Sequence, residues 1–182
     1  MDLLWTSFIN SHWHDWRGSG KSEDRLDKPD WIARFLTHWQ LPVPAETTPA
    51  DIEALKALRG QLLEIAQAMA KGELPSRIDH LNDLLARGPV VRRLEPAADG
   101  HRLRLDPHGT GWPQIHAEIA ASLAETLTEG ESSRVRICDN PDCLWVFYDD
   151  TRNRTKRFCD DKACGNLMKV RRFRARKRAE SD

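Results

Sequence analysis

The chain's four cysteines lie within 27 consecutive residues, as Cys138-x4-Cys143 and, after a gap of fifteen, Cys159-x4-Cys164. Two paired thiol offers from segments that fold back on one another are what a tetrahedral Zn²⁺ ion requires. With cysteine at all four positions no coordination site remains for water, so the expected metal is one structural Zn²⁺ and not a catalytic one. Two disulfides or an iron–sulfur cluster would use the same residue type. The N-terminal segment Met1-Asp2-Leu3-Leu4-Trp5 carries no cationic stretch followed by an apolar one. A cytoplasmic protein with reduced thiols is therefore expected, which favours metal over disulfides.

The second chemical feature is charge. The whole sequence sums to zero, yet residues 134–182 hold 14 Lys and Arg against 8 Asp and Glu, and residues 151–178 hold 12 against 2. Arg152, Arg154, Lys156 and Arg157 precede the second cysteine pair, with Asn153 and Thr155 as neutral donors. Lys169, Arg171, Arg172, Arg174, Arg176, Lys177 and Arg178 follow it. Such a cluster beside a metal-fixed fold predicts a site for a polyanion, duplex DNA above all, with steep salt dependence. The remaining residues are acidic, so a basic module on an acidic body is expected.

These residues need a scaffold. Arg134–Ile137 and Leu144–Tyr148 read as strands around the turn Asp139-Asn140-Pro141-Asp142, giving a hairpin with a metal knuckle at its tip. Asp160 or Asp161 caps a helix that holds Cys164 in its first turn and continues to about Arg178. Leu167, Val170 and Phe173 then recur every three residues and are expected to pack on Trp145 and Phe147. Knuckle, hairpin and helix make a treble-clef unit, too small to fold without its metal.

Upstream, residues 1–16 carry Leu3, Leu4, Trp5, Phe8, Ile9, Trp13 and Trp16 at spacings that predict a buried helix. Gly18-Ser19-Gly20-Lys21-Ser22 then reads as a flexible turn; it lacks the leading glycine and strand of a phosphate-binding loop. Pro29 starts a helix with the stripe Trp31, Ile32, Phe35, Leu36, Trp39. Thr48-Pro49-Ala50-Asp51 starts a longer one that stops at Gly72. Further helices are expected from Ser76 to Arg87 and from Trp112 to Leu127. Between them Val90–Leu94 and His101–Leu105 alternate around Asp99-Gly100, a hairpin with an apolar face of Val91, Leu103 and Leu105. The fold class is α+β: a mostly helical N-terminal domain with a β-hairpin over 1–130, and a zinc finger over 134–182. Gly130–Ser133 is the boundary.

At these residues the sequence resembles the CGNR zinc-finger proteins that carry an N-terminal ABATE domain. The match lies in Cys138-Asp139-Asn140-Pro141-Asp142-Cys143, in Trp145–Asp149, in Arg152–Cys159 and in Cys164-Gly165-Asn166. Phe8-Ile9-Asn10, Trp31–Trp39 and Asn82–Leu85 add weaker likeness upstream. The resemblance implies a transcription regulator with a DNA-binding treble clef, and an N-terminal α/β domain that senses a stress signal or a small-molecule effector. Two positions depart: Leu167 stands where the family has arginine, and Phe158 where tryptophan is usual. Lys169 and Arg171 are the neighbouring cations that would substitute for that arginine.

Other functions fit less well. A zinc-dependent hydrolase would need histidines in the finger, and the last histidine is His116; His12, His14 and Asp15 make only a loose metal constellation. An RNA- or protein-binding finger would expose its aromatics, but Trp145, Phe147, Tyr148, Phe158 and Phe173 are needed for a small core. No enzyme is expected. Five tryptophans before Gln40 could line an effector pocket, though helical cores use tryptophan too, and the core reading is preferred. No run is long and apolar enough to span a membrane. Neither heptads nor a self-complementary patch announce an oligomer.

Overall fold

Thr48 shows how locally the longest helix is determined. Its hydroxyl accepts from the Asp51 amide while the Asp51 carboxylate accepts from the Thr48 amide at 2.8 Å, a reciprocal cap with Pro49 in the first turn. The helix that follows, α3 (Pro49–Lys71), ends at Gly72 with φ 76°, a left-handed stop. In the computed structural model, which describes residues 2–73, 75 and 78–180, α3 is the axis of the body.

Around it lie α1 (Leu4–Ile9), α2 (Pro29–His38), α4 (Ile78–Leu85) and α5 (Gly111–Thr128). Helix α3 packs on α1 and α5, and α4 on α5. Trp5, Phe8, Leu55, Leu62, Ile115, Ile119 and Leu123 are buried at the centre. The Trp5 indole donates to the Thr126 hydroxyl at 2.9 Å, so that tryptophan is core. The expected start of α4 at Ser76 lies outside the described residues, as do the last two residues of the finger.

The helix expected over 1–16 stops at Ile9. Residues His12–His14 form β1, paired antiparallel with β2 (Ser22–Asp24). The apolar spacing misled because Ser11 and Asn10 face inward to polar partners: Ser11 Oγ accepts from Arg59 at 2.9 Å. Arg59 also grips both oxygens of Asp24, at 2.7 and 2.5 Å, and so pins β2 to α3. Burial pushes the Asp24 carboxyl up, but the Arg59 bonds outweigh it and hold it below its usual range.

The second hairpin is longer than expected, β3 (Val90–Ala97) with β4 (Gly100–Pro107). Its two-residue turn pairs Leu94 with Leu103, Arg92 with Leu105 and Val91 with Asp106. Val91 therefore lies on the face opposite Leu103 and Leu105, not with them, because successive residues alternate faces. One face is a charge lattice, Arg93 to Asp106, Arg102 and Arg104 to Glu95. The other leaves Leu94, Leu103 and Leu105 at 67%, 62% and 55% exposure.

Candidate metal centre and basic groove

After a 3-10 turn at Ser132–Arg134, Val135–Ile137 form β5, which pairs antiparallel with β6 (Val146–Tyr148). Between them the chain turns at Asn140–Leu144, where the Cys143 amide donates to the Asn140 carbonyl and Leu144 sits at φ 60°. This shortens the second strand by two residues relative to the expectation from Leu144. Asp160 then caps the next helix, its carboxylate accepting from the amides of Lys162 at 2.7 Å and Ala163 at 3.0 Å. The first turn is widened: the Gly165 amide reaches back five residues to the Asp160 carbonyl at 3.0 Å. That wide turn aims Cys164 at the other thiols before α6 (Asn166–Ala179) begins.

The four sulfurs converge. All lie within 4.8 Å of one another, with Cys143 to Cys159 at 3.6 Å and Cys159 to Cys164 at 3.9 Å. Ligands about 2.3 Å from a tetrahedral ion stand ~3.8 Å apart, so the donor set fits Zn²⁺. None of the four is in a disulfide. Without a cation the cluster resists full ionisation. Hydrogen bonds from Cys143 and Cys159 pull the Cys138 thiol down to about 2, and the bond to Cys138, with burial, pushes Cys143 up to about 12. Cys159 is pushed up by its bonds to Cys138 and Cys143, and Cys164 by burial. A divalent ion is what lets all four become thiolates.

Asn140 was not singled out from sequence, yet it is fully buried here and holds the site. Its amide donates to Cys164 Sγ at 3.3 Å and to the Trp16 carbonyl at 2.8 Å. Donors to thiolate sulfur orient a ligand and ease its negative charge. Asp149, also fully buried, shapes the basic loop by accepting from Thr151 N and Oγ1 and from Lys156 N. The Asp-x-Thr turn was the available signal for it.

The finger is fastened to the body. Val135 and Val146 belong to the main core, and Asn10 uses both ends of its amide on the Val146 backbone, accepting at 2.9 Å and donating at 2.8 Å. The Asn10 side chain thus acts as a one-residue extension of the sheet. Gly18 supplies another joint. At φ 87° it brings the 15–21 turn so close that a Cβ would lie 2.6 Å from the Arg171 guanidinium. The expected flexible turn is an anchoring point.

The cations divide accordingly. Arg171 donates to Asp142 at 2.6 Å and to the Arg17 carbonyl at 2.9 Å, so it serves the joint. Arg154 pairs with Glu131, and Arg157 with Asp139 at 2.6 Å. Arg152, Lys156, Arg157 and Lys169 line a groove of about 370 Å³ together with Thr151, Asn153, Thr155 and one carboxylate, Asp161. Lys169 continues it into a second hollow with Arg172 and Arg176 along α6. Arg174, Lys177 and Arg178 lie on the exposed remainder of the helix, Lys177 over the Phe173 ring. Leu167 is half-buried, and Lys169 is the neighbour left facing the groove. Val170 and Phe173 do not pack on Trp145 and Phe147; Phe173 is 52% exposed. Met168, in the first turn of α6, packs on the cysteine cluster instead.

Among the described residues, the cysteine quartet is the one group of three or more His, Cys, Asp and Glu side chains placed to hold a metal. The His12 and His14 rings lie 4.4 Å apart, tilted at 50°, without gathering such a set. No helix is long and apolar enough to cross a membrane.

The molecule is therefore a helical body joined to a four-cysteine metal module with a cationic helix. The ABATE family model, described as "Putative stress-induced transcription regulator", matches residues 2–130, and the CGNR zinc finger model matches residues 134–177. The chain belongs to the ABATE family, and its four cysteines form the site of one structural zinc. No curated protein matches it.

Proposed function

We propose that the chain is a DNA-binding transcription regulator, with residues 134–182 as a treble-clef binding unit and residues 1–130 as a unit that senses a signal or ligand. The observation that carries this reading is the continuous cationic surface of Arg152, Lys156 and Lys169 in the groove and Arg172 and Arg176 on α6. The Thr155 hydroxyl and the Asn153 amide between the cations suit phosphate oxygens, which accept from neutral donors as well as from charged ones. The groove lies over the metal-fixed turn, so zinc sets the spacing of its two walls. Neutralising four phosphates would give a salt slope of roughly −3 to −4 in log K against log salt.

Selection of duplexes from a random pool by the full-length protein, with and without a chelator, tests the reading. Enrichment of a sequence family that disappears on chelation is the expected result. Lys169→Ala with Arg172→Ala should flatten the salt slope by about two. No enrichment, or enrichment untouched by chelation, refutes it.

A further inference from the structure

We propose that the body binds a small apolar molecule carrying one positive charge, an amine, in the cavity between α2 and the start of α3. The cavity holds about 530 Å³, within the range of small-molecule sites. The buried Leu26, Ile32 and Leu36 line it together with Ile52, Ala33 and Val43. Val43 is 76% exposed, an apolar side chain left against solvent beside an apolar hollow. It stays there because the loop cannot collapse. Leu41 is buried and its amide bonded to the Leu36 carbonyl at 2.9 Å, while the Thr48 cap fixes the far end. Between these anchors Pro42 and Pro44 fix the backbone on both sides of Val43.

The rim supplies the charge preference. Lys56 bridges Asp27 at 2.7 Å and Glu53 at 3.2 Å, taking one oxygen of each. Two carboxylates and one ammonium leave the rim at net −1, with a second oxygen on each acid as acceptor. Among the described residues, Asp27 and Glu53 line the cavity and no cation does. An anionic ligand meets repulsion, a neutral one nothing, and an ammonium both charge and acceptors. None of the five tryptophans before Gln40 lines this cavity. Its wall at Leu26 and Asp27 continues from β2, whose hairpin holds the finger.

The inference deepens the sensing part of the proposed function and rests on it for biological meaning. Its test involves no DNA, so the two fail separately. Zinc-loaded full-length protein is titrated with cyclohexylammonium, cyclohexanol and cyclohexanecarboxylate, followed by ligand-observed NMR at low salt. The ammonium should bind roughly three- to tenfold tighter than the carboxylate, with the alcohol between. Ala33→Trp, at an exposed helix position, should fill the cavity and abolish all binding without lowering the melting temperature. Glu53→Gln brings the rim to neutrality and should remove most of the ammonium's advantage while leaving the alcohol unchanged. Absence of binding at millimolar probe, a carboxylate bound as well as the ammonium, undiminished binding in Ala33→Trp, or an undiminished ammonium preference in Glu53→Gln overturns the proposal.

Discussion

Replacing Asn10 tests whether the finger is structurally part of the body. Its amide makes two bonds to the Val146 backbone, at 2.8 and 2.9 Å, and Val146 is itself 1% exposed. Asn10→Ala removes both bonds, each with a net value of about 1 kcal/mol. It also leaves a backbone N–H and C=O where water reaches poorly, at about 1–3 kcal/mol for each group left unpaired. Partial relaxation brings the expected total to about 2–4 kcal/mol. With a urea slope of about 2 kcal/mol/M, the midpoint of the zinc-loaded protein should fall by ~1–2 M. Asn10→Asp sharpens the test. Its carboxylate still accepts from the Val146 amide but faces the Val146 carbonyl with a second lone pair. It should be as harmful as alanine near neutral pH and recover in acid relative to alanine, when the protonated carboxyl can donate. A midpoint shift under about 0.3 M for Asn10→Ala would refute the claim that this contact joins the two units.

Three further outcomes follow from the same geometry. Gly18→Ala should destabilise by about 1–2 kcal/mol from its φ of 87° and displace Arg171; Gly20→Ala, at φ 75° with nothing within 4 Å, should show only the conformational part, and equal urea midpoints would deny the close approach. Because Val135 and Val146 sit in the body's core, chelation or Cys164→Ser should lower the whole chain's melting in one transition; calorimetry showing an unaffected body transition would contradict this. Burial first, and the nearby Arg87 second, hold the His116 imidazole below its usual 6.5. Its unfolded form therefore binds a proton that the folded form resists, so its stabilising contribution is complete above 6.5 and lost as pH falls below it; His116→Gln should lose less stability than wild type between neutral and mildly acid pH in urea titrations.

The metal site was legible because thiolate ligation needs only residue type and spacing, and the cap at Thr48 because it closes over three residues. The signals that failed were those of long range. Trp13 and Trp16 share helical spacing with Trp5, but the pairing of His12–His14 with Ser22–Asp24 and the grip of Arg59 on Asp24 override it. Val170 and Phe173 repeat every three residues, as a packed face would, yet they stay 38% and 52% exposed. Gly18 reads locally as part of a flexible turn because its reason for being glycine, the Arg171 guanidinium 153 residues on, is invisible there. Arg171 itself counted among the phosphate-facing cations until its bonds to Asp142 and Arg17 placed it inside the joint.

That reassignment changes what the charge asymmetry means. Carboxylates at Glu131, Asp139 and Asp142 lie in or beside the finger and tie Arg154, Arg157 and Arg171. These pairs are at least partly exposed, so each adds little stability. Their effect is directional. They hold Arg154 and Arg171 outside the groove and, with Arg157 tied to its wall, leave Arg152, Lys156, Lys169, Arg172 and Arg176 aligned along one side of α6 and the 151–157 loop. The metal fixes the loop against the helix, and Asn10, Asn140 and Gly18 fix both against the body.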